Sequence, residues 1–238
     1  MSVESDLEEE IQNSQAIIYY GQLESIKLNY FVFKRNFEEL RIPLDNMNDL
    51  KKGFPLWDVD KRGDLEKIQY EVIRRLFNFL FSSKALVDYT RNSIKEWYKG
   101  TDFKKEYDEE ISKRFTNNYL VGFIEDLRNY SAHYSLPVSR PRFTISGINT
   151  KDFHYQHSFV MSKTILLRWK DWKKGKKFLS NSPEEISIDE FTHDYFKLID
   201  NFESWLYKRI FDLHKEDLEW LSVKNKQLND LLDKIFNS

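Results

Sequence analysis

Apolar side chains recur every three or four residues along most of this chain, which is the spacing of a helix that buries one face. The pattern predicts a first long helix over residues 4–40, a second over 64–99 and a third over 103–134. Helical spacing returns after residue 182 and continues to the C-terminus, with a break near Glu216. Long helices joined by modest loops predict an antiparallel helical bundle.

Turn-forming residues mark the boundaries of these predicted helices. Residues 41–63 contain two prolines, two glycines and no clear period, so we expect a loop there. Asp64 is suited to begin the second helix and Gly100 to end it. Two later helix starts are indicated, one by Ser182, Pro183 and Glu185 and one by Ser187 and Glu190.

The pattern changes between the third helix and the last ones. Residues 142–148 and 158–169 are rich in β-branched and aromatic side chains, and they predict a β-hairpin with a loop over 149–156. A basic loop follows over residues 170–182. We therefore expect a mainly α fold, an antiparallel helical bundle with an inserted β-hairpin. The prediction is one domain over residues 1–238, with the hairpin and basic loop at about 142–178.

Composition excludes several classes of protein. Aromatic residues make up 16% of the chain, which is far too many for a disordered protein. The absence of cysteine excludes a disulfide scaffold and a thiol nucleophile, and it suits the cytoplasm. No apolar run approaches the roughly 18 residues that a membrane span needs. The acidic start MSVESDLEEE lacks the features of a signal peptide. We expect a cytoplasmic protein without a membrane partner.

Positive charge is concentrated in one segment of a chain whose net charge is −2. Residues 140–177 carry a net charge of +8, and the rest of the chain is therefore acidic. Such a segment predicts an anionic partner, and nucleic acid is the candidate. The predicted nucleic-acid-binding residues are Arg140, Arg142, Arg168, Lys170, Lys173, Lys174, Lys176 and Lys177. Trp169 and Trp172 can stack on bases. The alternative is a solvated loop with both indoles in the core.

The candidate chemistry lies near the end of the third predicted helix, in the string FIEDLRNYSAHYSLP. Asn129 and His133 are four residues apart and share a helix face. Arg128 and His133 are five apart, which places them about 140° around the helix from each other. A lone arginine and histidine at this spacing are most often surface charges, so the residues alone leave a structural role open.

This string resembles the motif of the HEPN superfamily, in which an Arg, a polar residue, three variable residues and a His lie near the end of one helix. The matching residues are Arg128, Asn129 and His133, and the three between them are Tyr130, Ser131 and Ala132. The resemblance implies a helical bundle that acts as a metal-independent endoribonuclease in a toxin–antitoxin, phage-defence or stress system. It also implies a homodimer with two motifs facing one cleft, and a cognate antitoxin or defence partner.

The residue chemistry suits RNA cleavage by the 2′-OH group. An imidazole titrates near neutral pH, so His133 can move protons. The Arg128 guanidinium can hold phosphate oxygens, and Asn129 can orient the imidazole or a sugar oxygen. No metal is expected, because His154, His157 and Asp152 lack a motif-spaced further ligand. No cofactor is expected, because the sequence has no P-loop and no dinucleotide-binding glycine motif. Some bundles of this superfamily are inactive, so a nucleotide- or protein-binding module is the alternative.

Overall fold

A computed structural model describes residues 3–147, 151 and 154–236 of the chain. Within these residues the helices are α1 (Val3–Gln12), α2 (Gln15–Asn48), α3 (Leu50–Gly53), α4 (Arg62–Trp97), α5 (Asp102–Phe115), α6 (Tyr119–His133), α7 (Lys163–Leu166), α8 (Gly175–Asn181), α9 (Ile188–Leu213) and α10 (Lys215–Phe236). The strands are β1 (Ser139–Ser146), β2 (His154–Ser162) and β3 (Glu185–Ser187). The predicted mainly helical fold with an inserted hairpin is confirmed.

The contacts of the chain group into two compact units. The first contains residues up to Tyr30 together with those from Asp200 onward, and the second contains Phe31–Ile199. The prediction of one domain over residues 1–238 stays a prediction. None of the helices within the described residues has the length and apolar character that crossing a membrane requires.

The first unit is held together by helices from both ends of the chain. Ile11, Ala16 and Leu221 form a buried apolar cluster that joins α1, α2 and α10. The rings of Tyr19 and His214 stack with centroids 3.6 Å apart. His214 lies between α9 and α10, close to the predicted break at Glu216.

A buried carboxyl group is the unusual feature of this first unit. The side chain of Glu203 on α9 is only 5% exposed. Its Oε2 atom has no hydrogen-bond partner within the described part of the chain. Burial penalises the charged form and raises the pKa of Glu203 to about 8.

The second unit has a core of stacked aromatic side chains. Phe37 on α2 stacks on Phe196 of α9 with ring centroids 4.0 Å apart, and Phe79 of α4 lies 6.0 Å from Phe37. Phe33 lies 5.4 Å from Phe79 and is fully buried. Phe33, Phe37 and Phe79 lie on the apolar faces that the spacing of the sequence predicts, and with Phe196 they pack α2, α4 and α9 together.

The predicted loop over residues 41–63 is wrong in its first part, because α2 continues through Pro43 to Asn48. Leu40, Leu44 and Met47 are all at most 2% exposed and keep helical spacing across the proline. A proline inside a helix removes one hydrogen bond, and the burial of this stripe offsets that loss. Helical turns then occupy most of the remaining residues before α4.

The predicted third helix over residues 103–134 is two helices, α5 and α6. The side-chain oxygen of Asn118 accepts hydrogen bonds from the backbone N–H groups of Leu120 and Val121, at 3.0 and 3.4 Å. This N-cap begins α6 and separates it from α5, which ends at Phe115. The break sets the direction of α6 independently of α5, and α6 carries the motif.

The hairpin is part of a three-stranded antiparallel sheet in the order β1-β2-β3. Phe143 pairs with His157, and Met161 pairs with Ile186. The first strand begins at Ser139, before the predicted residue 142, and the second ends at Ser162, where the predicted strand continues to residue 169. Residue 148 of the predicted first strand and residues 149, 150, 152 and 153 of the predicted loop lie outside the described residues. Residues 154–156, also predicted as loop, belong to β2.

The segment after the hairpin also differs from its prediction. The Ser182 helix start is wrong, because Ser182 follows the last residue of α8 and Glu185 begins β3. The Ser187 start is confirmed, since its hydroxyl accepts a hydrogen bond from the N–H of Glu190 at 3.3 Å. The predicted basic loop is partly the helix α8, which begins at Gly175.

Candidate functional site

Helix α6 carries the three motif residues, and its apolar face fixes their orientation. Phe123, Leu127 and Tyr130 are buried along that face. Phe123 and Tyr130 stack on the indole of Trp172, with ring centroids 5.8 and 5.9 Å away. Because this face is anchored in the core, the other side chains of α6 point in directions set by helical geometry.

Arg128 is held at one position by contacts on two sides. Its Nη1 atom donates a hydrogen bond to Oδ1 of Asn129 at 2.9 Å. Its guanidinium carbon lies 5.0 Å from the centroid of the Phe81 ring on α4, a cation–π distance. Its Nε atom is buried and has no partner within the described residues. The arginine is therefore oriented by its neighbours, and it forms no ion pair with a carboxylate of the described residues.

Arg128 and Asn129 line a cavity of about 430 Å³ in the second unit. Its apolar lining includes Leu80, Val87, Ile111, Phe115, Val121 and Ile124. Its charged lining consists of Lys84, Arg91, Arg128, Lys174, Asp108 and Glu125, an excess of two positive charges. A cavity of this size with apolar walls and a few charged groups is typical of a small-ligand site.

His133 is placed differently from the other two motif residues. It is the last residue of α6, its side chain is exposed, and it is not among the residues that line the Arg128 cavity. The structure thus brings Arg128 and Asn129 into one cavity and leaves His133 on the surface of the same helix end. The predicted angle of about 140° between Arg128 and His133 agrees with this difference.

Asp126 binds the predicted basic loop, residues 170–182, to α6. We call these residues the basic segment. Its side chain is 3% exposed, and its Oδ2 atom accepts hydrogen bonds from the backbone N–H groups of Lys173 and Gly175, at 2.7 and 2.8 Å. Burial raises the pKa of Asp126, and the two backbone hydrogen bonds oppose that rise. Sequence reasoning missed this residue, although a lone aspartate between Phe123 and Leu127 on an apolar face was a signal.

Two glycines allow the basic segment to lie directly against the α6 backbone. A Cβ atom on Gly122 would lie 2.5 Å from Cβ of Lys174, and one on Gly175 would lie 2.8 Å from Cα of Phe123. Both distances are shorter than any ordinary contact. The chain therefore needs glycine at both positions to bring Lys174 to the cavity.

Family models, curated proteins and solved structures give no match to this chain. The resemblance to the HEPN superfamily accordingly stays a prediction. It depends on Arg128, Asn129 and His133 and on their position at the end of a helix in a mainly helical fold.

The predicted nucleic-acid-binding residues fall into two groups. Arg140 and Arg142 on β1 both form ion pairs with the carboxylate of Glu185 on β3. The side chains of Arg168, Lys170, Lys173, Lys174, Lys176 and Lys177 are exposed. Lys177 also lies 4.5 Å from the centroid of the Tyr119 ring. The second group therefore offers positive charge to a partner more readily than the first.

Base stacking by Trp172 is wrong. Its indole is 7% exposed, and its Nε1 atom donates a hydrogen bond to the backbone oxygen of Leu166 at 2.8 Å. Trp169 is half-buried and packs edge-on against Tyr130 at 5.7 Å. The alternative that places Trp172 in the core is the correct one, because the indole completes the packing of α6.

His157 on β2 belongs to an aromatic cluster. The Nδ1 atom of His157 accepts a hydrogen bond from Nε1 of Trp57 at 3.3 Å, and the Phe143 ring lies 4.6 Å away. Burial lowers the pKa of His157, which favours the neutral imidazole. Asp152 and the side chain of His154 lie outside the described residues. Within the part that is described, no group of three or more possible His, Asp or Glu ligands occurs.

Proposed function

We propose that this chain is a HEPN-type, metal-independent endoribonuclease that cleaves RNA by attack of a 2′-OH group. The observation that supports the proposal is the orientation of Arg128, whose guanidinium is fixed by Asn129 and Phe81 beside a cavity with excess positive charge. A fixed cation is suited to the charge that develops on phosphorus oxygens in the transition state. His133 lies at the end of the same helix, exposed to a substrate.

The reaction needs two proton movements and one displacement. The 2′-oxygen loses its proton and bonds to phosphorus, and the bond from phosphorus to the 5′-oxygen breaks. The leaving 5′-oxygen gains a proton, so the products are a 2′,3′-cyclic phosphate and a 5′-hydroxyl. His133 is the group assigned to proton transfer, a contribution of roughly 10²–10⁴-fold in rate. Arg128 and Asn129 hold the phosphate.

A homodimer belongs to this proposal, because His133 does not line the cavity of Arg128 within one protomer. An apolar groove of about 490 Å³ includes Leu136, three residues after His133 in the chain. The groove is lined by Tyr70, Ile73, Arg74, Phe77, Leu136 and Val138. Leu136 and Val138 are more than half exposed. A second copy seated there would cover this groove and bring a second motif close to the first. A cytoplasmic location and an antitoxin or defence partner complete the proposal.

The deciding experiment compares wild type with His133→Ala and Arg128→Ala on total RNA and tRNA in the presence of a chelator. The control is His193→Ala, which removes an exposed histidine of α9 outside the motif. We expect cleavage by wild type and the control, cyclic-phosphate ends on the products, and loss of cleavage in both motif variants. Cleavage by His133→Ala at the wild-type rate would contradict the proposal, and so would equal cleavage of matching DNA.

The exposed position of His133 favours one alternative, a non-catalytic module that binds nucleotides or a partner protein. In that case Arg128 and the cavity bind an anionic ligand, and His133 is a surface residue. The same experiment separates the two functions. If wild type and His133→Ala bind RNA equally well and neither cleaves it, the result favours the binding module.

A further inference from the structure

We propose that Lys174 and Arg128 form a phosphate-binding subsite for an RNA strand within the 430 Å³ cavity, and that Asp126 is the residue that positions Lys174. This inference rests on the proposed interaction with RNA, and it assigns a place to one lysine of the basic segment. It also gives a role to Asp126, which lies outside the motif.

The charges around the cavity single out Arg128 and Lys174. Four cations line it, and two of them, Lys84 and Arg91, pair with the same carboxylate, Asp88, at 2.8 and 2.9 Å. Arg128 bonds to the neutral amide of Asn129. Lys174 makes no ion pair with any residue that the structure describes. Asp108 and Glu125 also line the cavity, but neither forms an ion pair with Arg128 or Lys174. An anion that enters the cavity therefore meets two cations without an ion-pair partner among the described residues.

The backbone at Lys174 is fixed, although the lysine side chain itself is flexible. The N–H groups on both sides of it, from Lys173 and Gly175, donate to the buried Asp126 carboxylate. Because Gly122 has no side chain, the backbone at Lys174 lies directly against α6. The carboxylate accepts hydrogen bonds from backbone N–H groups and not from the Lys174 side chain. The Lys174 ammonium group is therefore available to bind an anion. Asp126 thus holds a cation near Arg128 without bonding to its side chain.

The lining of the cavity suits a nucleotide of an RNA strand better than a small inorganic anion. Apolar side chains from α4, α5 and α6 share the cavity with the two cations. Apolar walls can contact the face of a base while the cations bind the adjoining phosphate. Lys176 and Lys177 lie close in sequence but do not line the cavity. They provide an internal comparison.

The test measures binding of a fluorescent 2′-O-methyl oligoribonucleotide, which lacks the attacking hydroxyl, to Lys174→Met and to Lys176→Met. Each phosphate contact to a single strand contributes about 0.7 to the slope of log affinity against log salt concentration. Loss of one contact should therefore reduce this slope by about 0.7 and weaken binding about fivefold at 0.1 M salt. We expect this loss in Lys174→Met and a clearly smaller one in Lys176→Met. Equal losses in the two variants overturn the subsite, because they indicate a diffuse basic surface.

The positioning role of Asp126 must be tested by a measurement that a purely structural role would not affect, namely whether the losses of RNA affinity in two variants add. We expect Asp126→Ala to weaken binding as much as Lys174→Met, and the double variant to be no weaker than either one. Asp126→Asn keeps an acceptor oxygen for the two N–H groups and should retain most of the affinity. Additive losses in the double variant overturn the positioning role. If Asp126→Ala does not fold, Asp126→Ser, which also removes the acceptor oxygen from its place, replaces it in the double variant and decides by the same criterion.

This test is independent of catalysis. Cleavage that depends on His133 can stand while the two lysine variants bind alike, and then only the subsite fails. Conversely, a wild type that binds the oligoribonucleotide through Lys174 without cleaving RNA supports the subsite and contradicts the nuclease.

Discussion

The carboxylate of Asp126 on α6 accepts a hydrogen bond from the backbone N–H of Gly175, forty-nine residues further along the chain, at 2.8 Å. The same oxygen accepts a second one from Lys173. Two backbone donors, one of them fully buried, thus depend on one side chain. This arrangement joins the helix that carries the motif to the segment that carries the positive charge.

Replacing Asp126 with Ala should destabilise the fold by about 2–4 kcal/mol, because it leaves two donors without their acceptor. Asp126→Asn should cost less, since an amide oxygen can accept the same bonds. The measurement is the free energy of unfolding in urea. Asp194→Ala, which changes an exposed aspartate of α9, is the control and should stay within about 0.5 kcal/mol of wild type. A wild-type stability for Asp126→Ala would contradict the role assigned to the carboxylate.

Glycine-to-alanine substitutions at two helical positions should change the stability of the protein in opposite directions, because only Gly122 contacts the basic segment. Gly122→Ala places a methyl group 2.5 Å from Cβ of Lys174, so we expect it to destabilise the protein by about 1–3 kcal/mol. Gly21→Ala on α2 has open space around it, so it should stabilise the helix by roughly 0.5–1 kcal/mol. Thermal unfolding of the two variants checks the sign of each effect. Stabilisation by both would mean that the segment does not lie against α6.

Much of the fold could be predicted from the sequence because the periodic spacing of apolar side chains is a local property of the chain. The aromatic stripe of α2 and the apolar faces of α4 and α9 are visible in the spacing of their side chains. Pro43 misled the prediction, since proline is a local signal, whereas the buried Leu40, Leu44 and Met47 that keep the helix intact act through tertiary packing. The end of α5 was missed because the Asn118 cap lies inside an apolar pattern that runs without interruption.

The site was predictable only in part, for a similar reason. The residue types and spacing of Arg128, Asn129 and His133 are local features of one helix. The bonds that Asp126 makes to Lys173 and Gly175 join distant parts of the chain, and nothing in the spacing of the sequence indicates such a pairing. The exposure of Lys174 beside Arg128 follows from this long-range contact.

Glu185 should restrain RNA binding by Arg140 and Arg142, because its carboxylate pairs with both guanidinium groups. Glu185→Gln removes the negative charge and leaves both arginines available to phosphates. We expect tighter binding of the 2′-O-methyl oligoribonucleotide by about threefold to tenfold, together with a steeper salt dependence. Glu190→Gln, at an exposed glutamate of α9, is the matched control for the change in net charge. If the two variants change RNA binding equally, Arg140 and Arg142 are not part of the RNA-binding surface.

Glu203 should make the stability of the protein depend on pH. Its pKa is about 8 in the folded state against an ordinary value of 4.5, so between these values the folded state binds more protons than the unfolded one. Stability is therefore expected to fall as pH rises from about 4.5 to about 8, and the loss remains above pH 8. Glu203→Gln has no charge to bury and should be more stable than wild type at pH 8.5, by on the order of 3–5 kcal/mol.

The two proteins should approach similar stability below about pH 4, where the wild-type carboxyl is largely neutral in both the folded and the unfolded state. Urea unfolding at a series of pH values measures the difference between them directly. Glu216→Gln, at an exposed glutamate of α10, controls for the loss of one negative charge. A difference between Glu203→Gln and wild type that does not grow with pH would show that the Glu203 carboxyl is hydrated, and the burial assigned to its side chain would be wrong.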